Sequence, residues 1–135
     1  MKVVASKSTW KEKVTLNLYS GRFGEQEAME FFRKIIQGYC AVVEANIIHR
    51  DLKPTNILLT ANNEPVIIDF GYSQIIIANK NLTVFNVGSP SYMSPEAYSK
   101  TIYSEKSDVW SLGAIFYELL MNTTLDSNLP IKQYF

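Results

Sequence analysis

Four side chains in the middle of this sequence are of types that handle negatively charged oxygens. Asp51, Lys53 and Asn56 share one polar loop, and Asp69 follows, just before Phe70-Gly71. A carboxylate and an amide oxygen are ligands that hard Mg²⁺ accepts. Asn56 and Asp69 supply one of each, at the ends of two short apolar runs expected to be adjacent strands. Phosphoryl transfer calls for such a set, because several negative oxygens must be neutralised while a hydroxyl is held in line. Taken singly, each residue has a plainer reading. A lone Asp in a polar loop is usually a turn or cap residue, and Asp69 before Phe-Gly fits a turn as well.

The elements that must position these residues are legible around them. From Glu25 to Ala45, apolar residues recur at three- and four-residue steps through Ala28, Phe31, Phe32, Ile35, Tyr39, Val42 and Val43. Met29, Ile36 and Cys40 widen that stripe, so the helix is expected to be buried over much of its surface, with Cys40 as a small core residue. Gly24 is the expected N-cap, and Glu25 and Glu27 suit the first turn. Ile57–Leu59 and Val66–Asp69 read as two short strands of a hairpin around the turn 61–64, and Ser73–Ala78 as a third strand. Residues 79–97 are rich in Asn, Ser, Gly and Pro without a period, which reads as a functional loop. Helical spacing returns at 108–121, with Ser107 as the expected N-cap and apolar residues on more than one face, as in a central helix.

The chain of 135 residues has 47% hydrophobic and 19% charged residues, enough apolar content for a core and too few charges for wholesale disorder. Thirteen basic residues balance thirteen acidic ones, so no overall field favours nucleic acid. The single Cys40 excludes an intramolecular disulfide framework and a Cys-rich zinc site. No apolar run reaches the roughly 18 residues of a membrane span, and no secretory h-region follows Lys2. A soluble intracellular domain, cytoplasmic, with no nucleic-acid or membrane partner, is the expectation.

Four fragments stand in order: His49-Arg50-Asp51-Leu52-Lys53-Pro54-Thr55-Asn56, Asp69-Phe70-Gly71, Ser94-Pro95-Glu96 and Asp108-Val-Trp-Ser-Leu-Gly113. Together they resemble the eukaryotic protein kinase family, of the Ser/Thr type. The resemblance implies an α+β fold, a partial C-terminal lobe that is mainly helical, with short hairpin strands around the catalytic loop. It covers 16–125, with the catalytic loop at 49–56, the activation segment at 69–96 and the central helix at 108–121. Residues 1–15 stay unassigned and 126–135 form a tail.

By that resemblance Asp51 orients or accepts the proton of the substrate hydroxyl, and Lys53 steadies the transferring phosphate. Asn56 and Asp69 hold Mg²⁺ against ATP, and Leu58 is an apolar floor beneath adenine. Lys53 and Ser89 point to Ser/Thr acceptors in a protein substrate. His49 and Phe70 resemble members of the apolar spine, and Gly71 completes the Asp-Phe-Gly fragment. Asp108 resembles the buried carboxylate that ties the loop backbone to the central helix. Arg50 resembles the Arg that pairs with a phosphate on the activation segment. Phe85 stands at that phosphate's usual position, which leaves Thr83 as the nearest phosphosite. Glu96 in the family pairs with a distal Arg, and is expected here to be unpaired and solvated.

No G-x-G-x-x-G loop and no strand Lys in a V-A-I-K context occur in the sequence. The reading is therefore of Ser/Thr kinase-type transfer carried out as part of a longer kinase. The alternatives are a truncated kinase-like module that binds another kinase or a regulatory subunit, and a gene fragment without a role of its own. The 135 residues alone are expected to show no substantial transfer and weak binding of Mg²⁺·ATP.

Overall fold

The computed structural model describes residues 14–15, 23–76, 87–100 and 102–125. Their order is β1 (Val14–Thr15), α1 (Glu25–Glu44), β2 (Ile47–Ile48), β3 (Ile57–Leu59), β4 (Pro65–Ile67), β5 (Gln74–Ile75), α2 (Pro95–Lys100) and α3 (Glu105–Met121). The mixed helices and short strands match the expected class. Thr83 and the tail 126–135 lie outside the described residues.

Helix α1 begins where the sequence places it. Gly24 is extended at the N-cap, and its N–H donates to the Glu27 carboxylate at 3.1 Å. The buried row is Ala28, Phe31, Ile35, Tyr39 and Val42. The wider stripe is corrected: Met29, Cys40 and Val43 are exposed. Each stands one residue beyond a buried position, about 100° round the helix and outside the contact face. Cys40 is thus a surface thiol and not a core residue.

Strands β3 and β4 form the expected antiparallel hairpin, with Ile57 opposite Ile67, and β1 pairs on the other side of β3. Strand β4 ends before Asp69, which was expected inside it. Asp69 has φ 62°, a left-handed conformation that cannot continue a strand. A second pair, β2 with β5, joins Ile48 to Gln74; of the expected strand over 73–78, Gln74–Ile75 is observed. Helix α2 was not foreseen; it begins inside the expected loop 79–97 and runs on to Lys100. It is a short helix, with Pro at its first position, where a missing N–H costs nothing.

Helix α3 starts earlier than expected. Ser104 is its N-cap, with Oγ accepting from the Lys106 N–H at 3.2 Å. Ser107 sits inside, and its Oγ accepts from the Ser104 N–H at 3.1 Å, so the two serines close the end reciprocally. One core joins α1 and α3 through Phe31, Ile35, Leu52, Leu112, Ile115 and Leu119. Four polar residues of α3, Ser107, Asp108, Ser111 and Glu118, are buried, while Glu105, Lys106, Val109, Leu120 and Met121 are exposed. The inward set is what organises the site.

Candidate active site

The loop after β2 hangs on one carboxylate. Asp108, 1% exposed in the first turns of α3, accepts the His49 N–H at 2.7 Å, the Arg50 N–H at 2.9 Å and the Tyr39 hydroxyl at 3.2 Å. Arg50 has φ 68°, unfavourable for a residue with a side chain. Such a conformation costs on the order of 1–3 kcal/mol and persists only where the surroundings over-determine it. Capture of its N–H by Asp108 does so here. Burial pushes the Asp108 carboxyl above its usual range, and the His49 and Arg50 N–H groups pull it part of the way back.

Two tyrosines carry a related signature. Burial raises the Tyr39 phenol, reinforced by Asp108, and burial raises the Tyr92 phenol, reinforced by its hydrogen bond to Glu118. Both folded values lie above the ordinary value of 10.0. Their contribution to stability is therefore complete below that value and is lost as the pH rises through it towards the folded values. Urea midpoints taken between about pH 9 and pH 11.5 are expected to fall with pH, and to fall less steeply in Tyr39→Phe/Tyr92→Phe.

Around Asp51, 6% exposed, the loop closes a network. Lys53 Nζ lies 2.9 Å from Asp51 Oδ2 and donates to Ser89 Oγ at 2.9 Å. Ser89 Oγ in turn donates to Asp51 Oδ1 at 3.2 Å. Asn56 Nδ2 donates to the Asp51 carbonyl at 2.8 Å and to Oδ2 at 3.1 Å. The turn Pro54–Asn56 makes this reach possible by folding the chain back within a few residues. Because the Asn56 nitrogen is engaged, its amide oxygen is the part left to serve as a ligand.

Asp69 is exposed and is not a member of that network. Its Oδ1 accepts from the Gly71 N–H at 3.3 Å. It is held to the loop through its neighbours: His49 Nε2 lies 3.0 Å from the Ile68 carbonyl, and the His49 and Phe70 rings are 4.8 Å apart. His49 Nδ1 faces the Asp51 N–H at 3.4 Å, so the ring is a packed, hydrogen-bonded core group. A carboxylate oxygen from Asp69 and an amide oxygen from Asn56 suit Mg²⁺, which keeps several waters and takes few protein ligands. The donor chemistry thus fits the expected ion. Leu58, in the middle strand of its sheet, is 4% exposed.

Glu96 corrects the expectation of an unpaired, solvated carboxylate. It is half-buried in the first turn of α2 and accepts from Ser107 Oγ at 3.2 Å. Arg50 Nε donates to the Tyr72 carbonyl at 2.5 Å, and its guanidinium lies over the Tyr103 ring, 5.6 Å from the centroid. Arg50 Nη1 is buried with no hydrogen-bond partner among the described residues. Tyr39 and Tyr103 went unnoticed as site residues in the sequence. Tyr39 reads there as one more apolar member of its helical stripe, and Tyr103 stands in a stretch with no period.

Comparison with known proteins agrees with this arrangement. The family described as "Protein kinase domain" matches residues 4–133. The mitogen-activated protein kinase kinase 1 of Arabidopsis thaliana is 41% identical over 99 residues, which are 73% of this chain and 28% of that protein. The serine/threonine-protein kinase PEPKR2 of the same plant is 43% identical over 114 residues, 83% of this chain and 22% of that protein. An Aurora kinase of Encephalitozoon cuniculi is 38% identical over 104 residues, 77% and 38% respectively. The chain thus spans between 22% and 38% of the length of these relatives. Among the described residues, no helix is long and apolar enough to cross a membrane. With the loop, the Asp-Phe-Gly turn and the inward carboxylate of α3 in place, and with a family match over nearly all its residues, the chain belongs to the eukaryotic serine/threonine protein kinase family.

Proposed function

We propose that the chain supplies the catalytic-loop half of a Ser/Thr protein kinase, part of the larger lobe of a longer kinase that transfers phosphate from ATP to a protein hydroxyl. The observation that carries this reading is the closed set of Asp51, Lys53, Asn56 and Ser89, with every contact between 2.8 and 3.2 Å. Asp51 holds the acceptor hydroxyl and takes its proton on a carboxylate oxygen. Lys53 offers positive charge to the transferring phosphate from a position already tethered to Asp51 and Ser89. Ser89 sits where the acceptor must arrive, and with Lys53 it favours Ser/Thr acceptors. Asn56 and Asp69 are the ligands for Mg²⁺, which when bound would offset charge on the phosphate oxygens. Leu58 is the apolar floor for adenine, and Phe70, Gly71 and His49 fix the direction of Asp69. Glu96, from α2, braces the segment against Ser107, and Asp108 braces the loop from α3. Arg50, with Nη1 unused, is the receiver for a phosphate on the activation segment, with Thr83 as its candidate source.

Label transfer from radioactive ATP to a mixed protein substrate by the full gene product tests this. Phosphoserine and phosphothreonine are expected, and only when Mg²⁺ is present. A folded product that yields no labelled protein, or label on tyrosine alone, would overturn the reading.

A further inference from the structure

We propose that Tyr103 is a positioning residue that clamps residues 87–89 onto the catalytic loop, seating Ser89 between Asp51 and Lys53. Tyr103 is 4% exposed. Its hydroxyl donates to the Val87 carbonyl and accepts the Val87 N–H at 3.1 Å. One side chain thus satisfies both backbone polar groups of a residue outside any helix or strand, as a neighbouring strand would. The same ring carries the Arg50 guanidinium on its face, 5.6 Å from the centroid.

The next residue completes the contact from the other side. Gly88 has φ 113°, and a Cβ there would stand 2.8 Å from the Arg50 carbonyl oxygen. The segment therefore lies against the loop backbone as closely as a glycine permits. Ser89 follows at once and reaches Asp51 and Lys53. Tyr103 binds Arg50 by its face and Val87 by its hydroxyl, so it fixes the loop and the segment relative to each other. That Ser89 matters for transfer rests on the kinase reading above; the clamp itself does not.

Hydrogen exchange on the 135-residue protein tests the clamp, with the Val87 amide as its direct reporter. In Tyr103→Phe, which keeps the ring and loses the hydroxyl, the amides of Val87, Gly88 and Ser89 are expected to exchange roughly tenfold faster, while α1 and α3 are unchanged. Tyr103→Leu, which also loses the ring, is expected to extend the effect to the amides of Arg50 and Asp51. Unchanged Val87 exchange in Tyr103→Phe would overturn the proposal. So would acceleration shared equally by α1 and α3, the mark of a plain core residue. The kinase reading fails separately. Faster exchange at Val87 in a protein that never labels substrate keeps the clamp and removes the kinase. Label transfer with unaltered exchange does the reverse.

Discussion

Asp51→Asn in the full gene product is expected to lower phosphate transfer by about 10²–10⁴-fold, the usual contribution of a positioned general base. The substitution nearly preserves shape, and the network explains why the fold should survive it. Oδ2 of Asp51 receives both Lys53 and Asn56, whereas Oδ1 receives only Ser89. An Asn amide can place its oxygen toward Lys53 and Asn56 and its nitrogen toward Ser89. The Ser89 hydroxyl would then have to accept from that nitrogen while still accepting from Lys53. One modest hydrogen bond is rearranged, worth about 0.5–1.5 kcal/mol. What disappears entirely is the negative charge and the capacity to take a proton. Initial rates at saturating Mg²⁺·ATP, read beside the circular dichroism and thermal midpoint of the same samples, separate the two effects. A rate within a few-fold of the wild type would remove Asp51 from the chemistry.

The parts of this site that were legible in the sequence share a property: their information is local. The loop from His49 to Asn56 and the turn at Asp69-Phe70-Gly71 are short runs, marked by their order and their joint resemblance to the protein kinase family and not by any residue taken singly. Helix α1 was equally plain, since twenty residues give a periodic pattern room to repeat. The six residues of α2 give it none, and that helix was hidden in a polar stretch. Hydropathy also says which residues can be buried and not which are. Met29, Cys40 and Val43 are as apolar as their buried neighbours, and only the direction from which α3 and β4 approach decides between them. The start of α3 could not be fixed by residue type, because Ser104 and Ser107 are both good caps. The tie is settled by two hydrogen bonds, Ser104 Oγ accepting the Lys106 N–H and Ser107 Oγ accepting the Ser104 N–H.

Glu96 and Tyr103 failed to be read correctly for a different reason. Each finds its partners only in the tertiary fold, Glu96 in Ser107 of α3 and Tyr103 in Val87 and Arg50. Ser107 is 11 residues from Glu96, and Val87 is 16 from Tyr103. No single helix or strand spans either pair, so no period connects them. Tyr39 is an extreme case, 69 residues from Asp108. Its hydroxyl is invisible to a periodicity argument, which counts the ring and ignores the oxygen. The residues that perform the proposed chemistry were therefore easier to find than those that hold them still.

The largest expected loss of stability belongs to one of those holding residues. Asp108→Ala is expected to destabilise the fold by about 3–5 kcal/mol, because three buried donors lose their acceptor at once. The carboxylate is the acceptor for two backbone N–H groups and a phenol, from the loop and from α1. Alanine leaves all three donors facing a space too dry to replace it, and each buried, unsatisfied donor costs about 1–3 kcal/mol. Tyr39→Phe removes one donor together with its demand, so it should cost only about 1 kcal/mol. Asp108→Asn should fall between, because His49 and Arg50 donate to different carboxylate oxygens, and the amide nitrogen that replaces one of these must face a donor. Urea midpoints of the three variants, converted with a common slope, test that order. The consequence for the site follows from Arg50. Its left-handed backbone is held by the Asp108 contact, so losing that contact lets residues 49–51 relax and carries Asp51 away from Lys53 and Ser89. Asp108→Ala should therefore lose transfer even at temperatures where it remains folded, whereas Tyr39→Phe should keep it. If Asp108→Ala proves as stable as Tyr39→Phe, the loop is held by something other than this carboxylate.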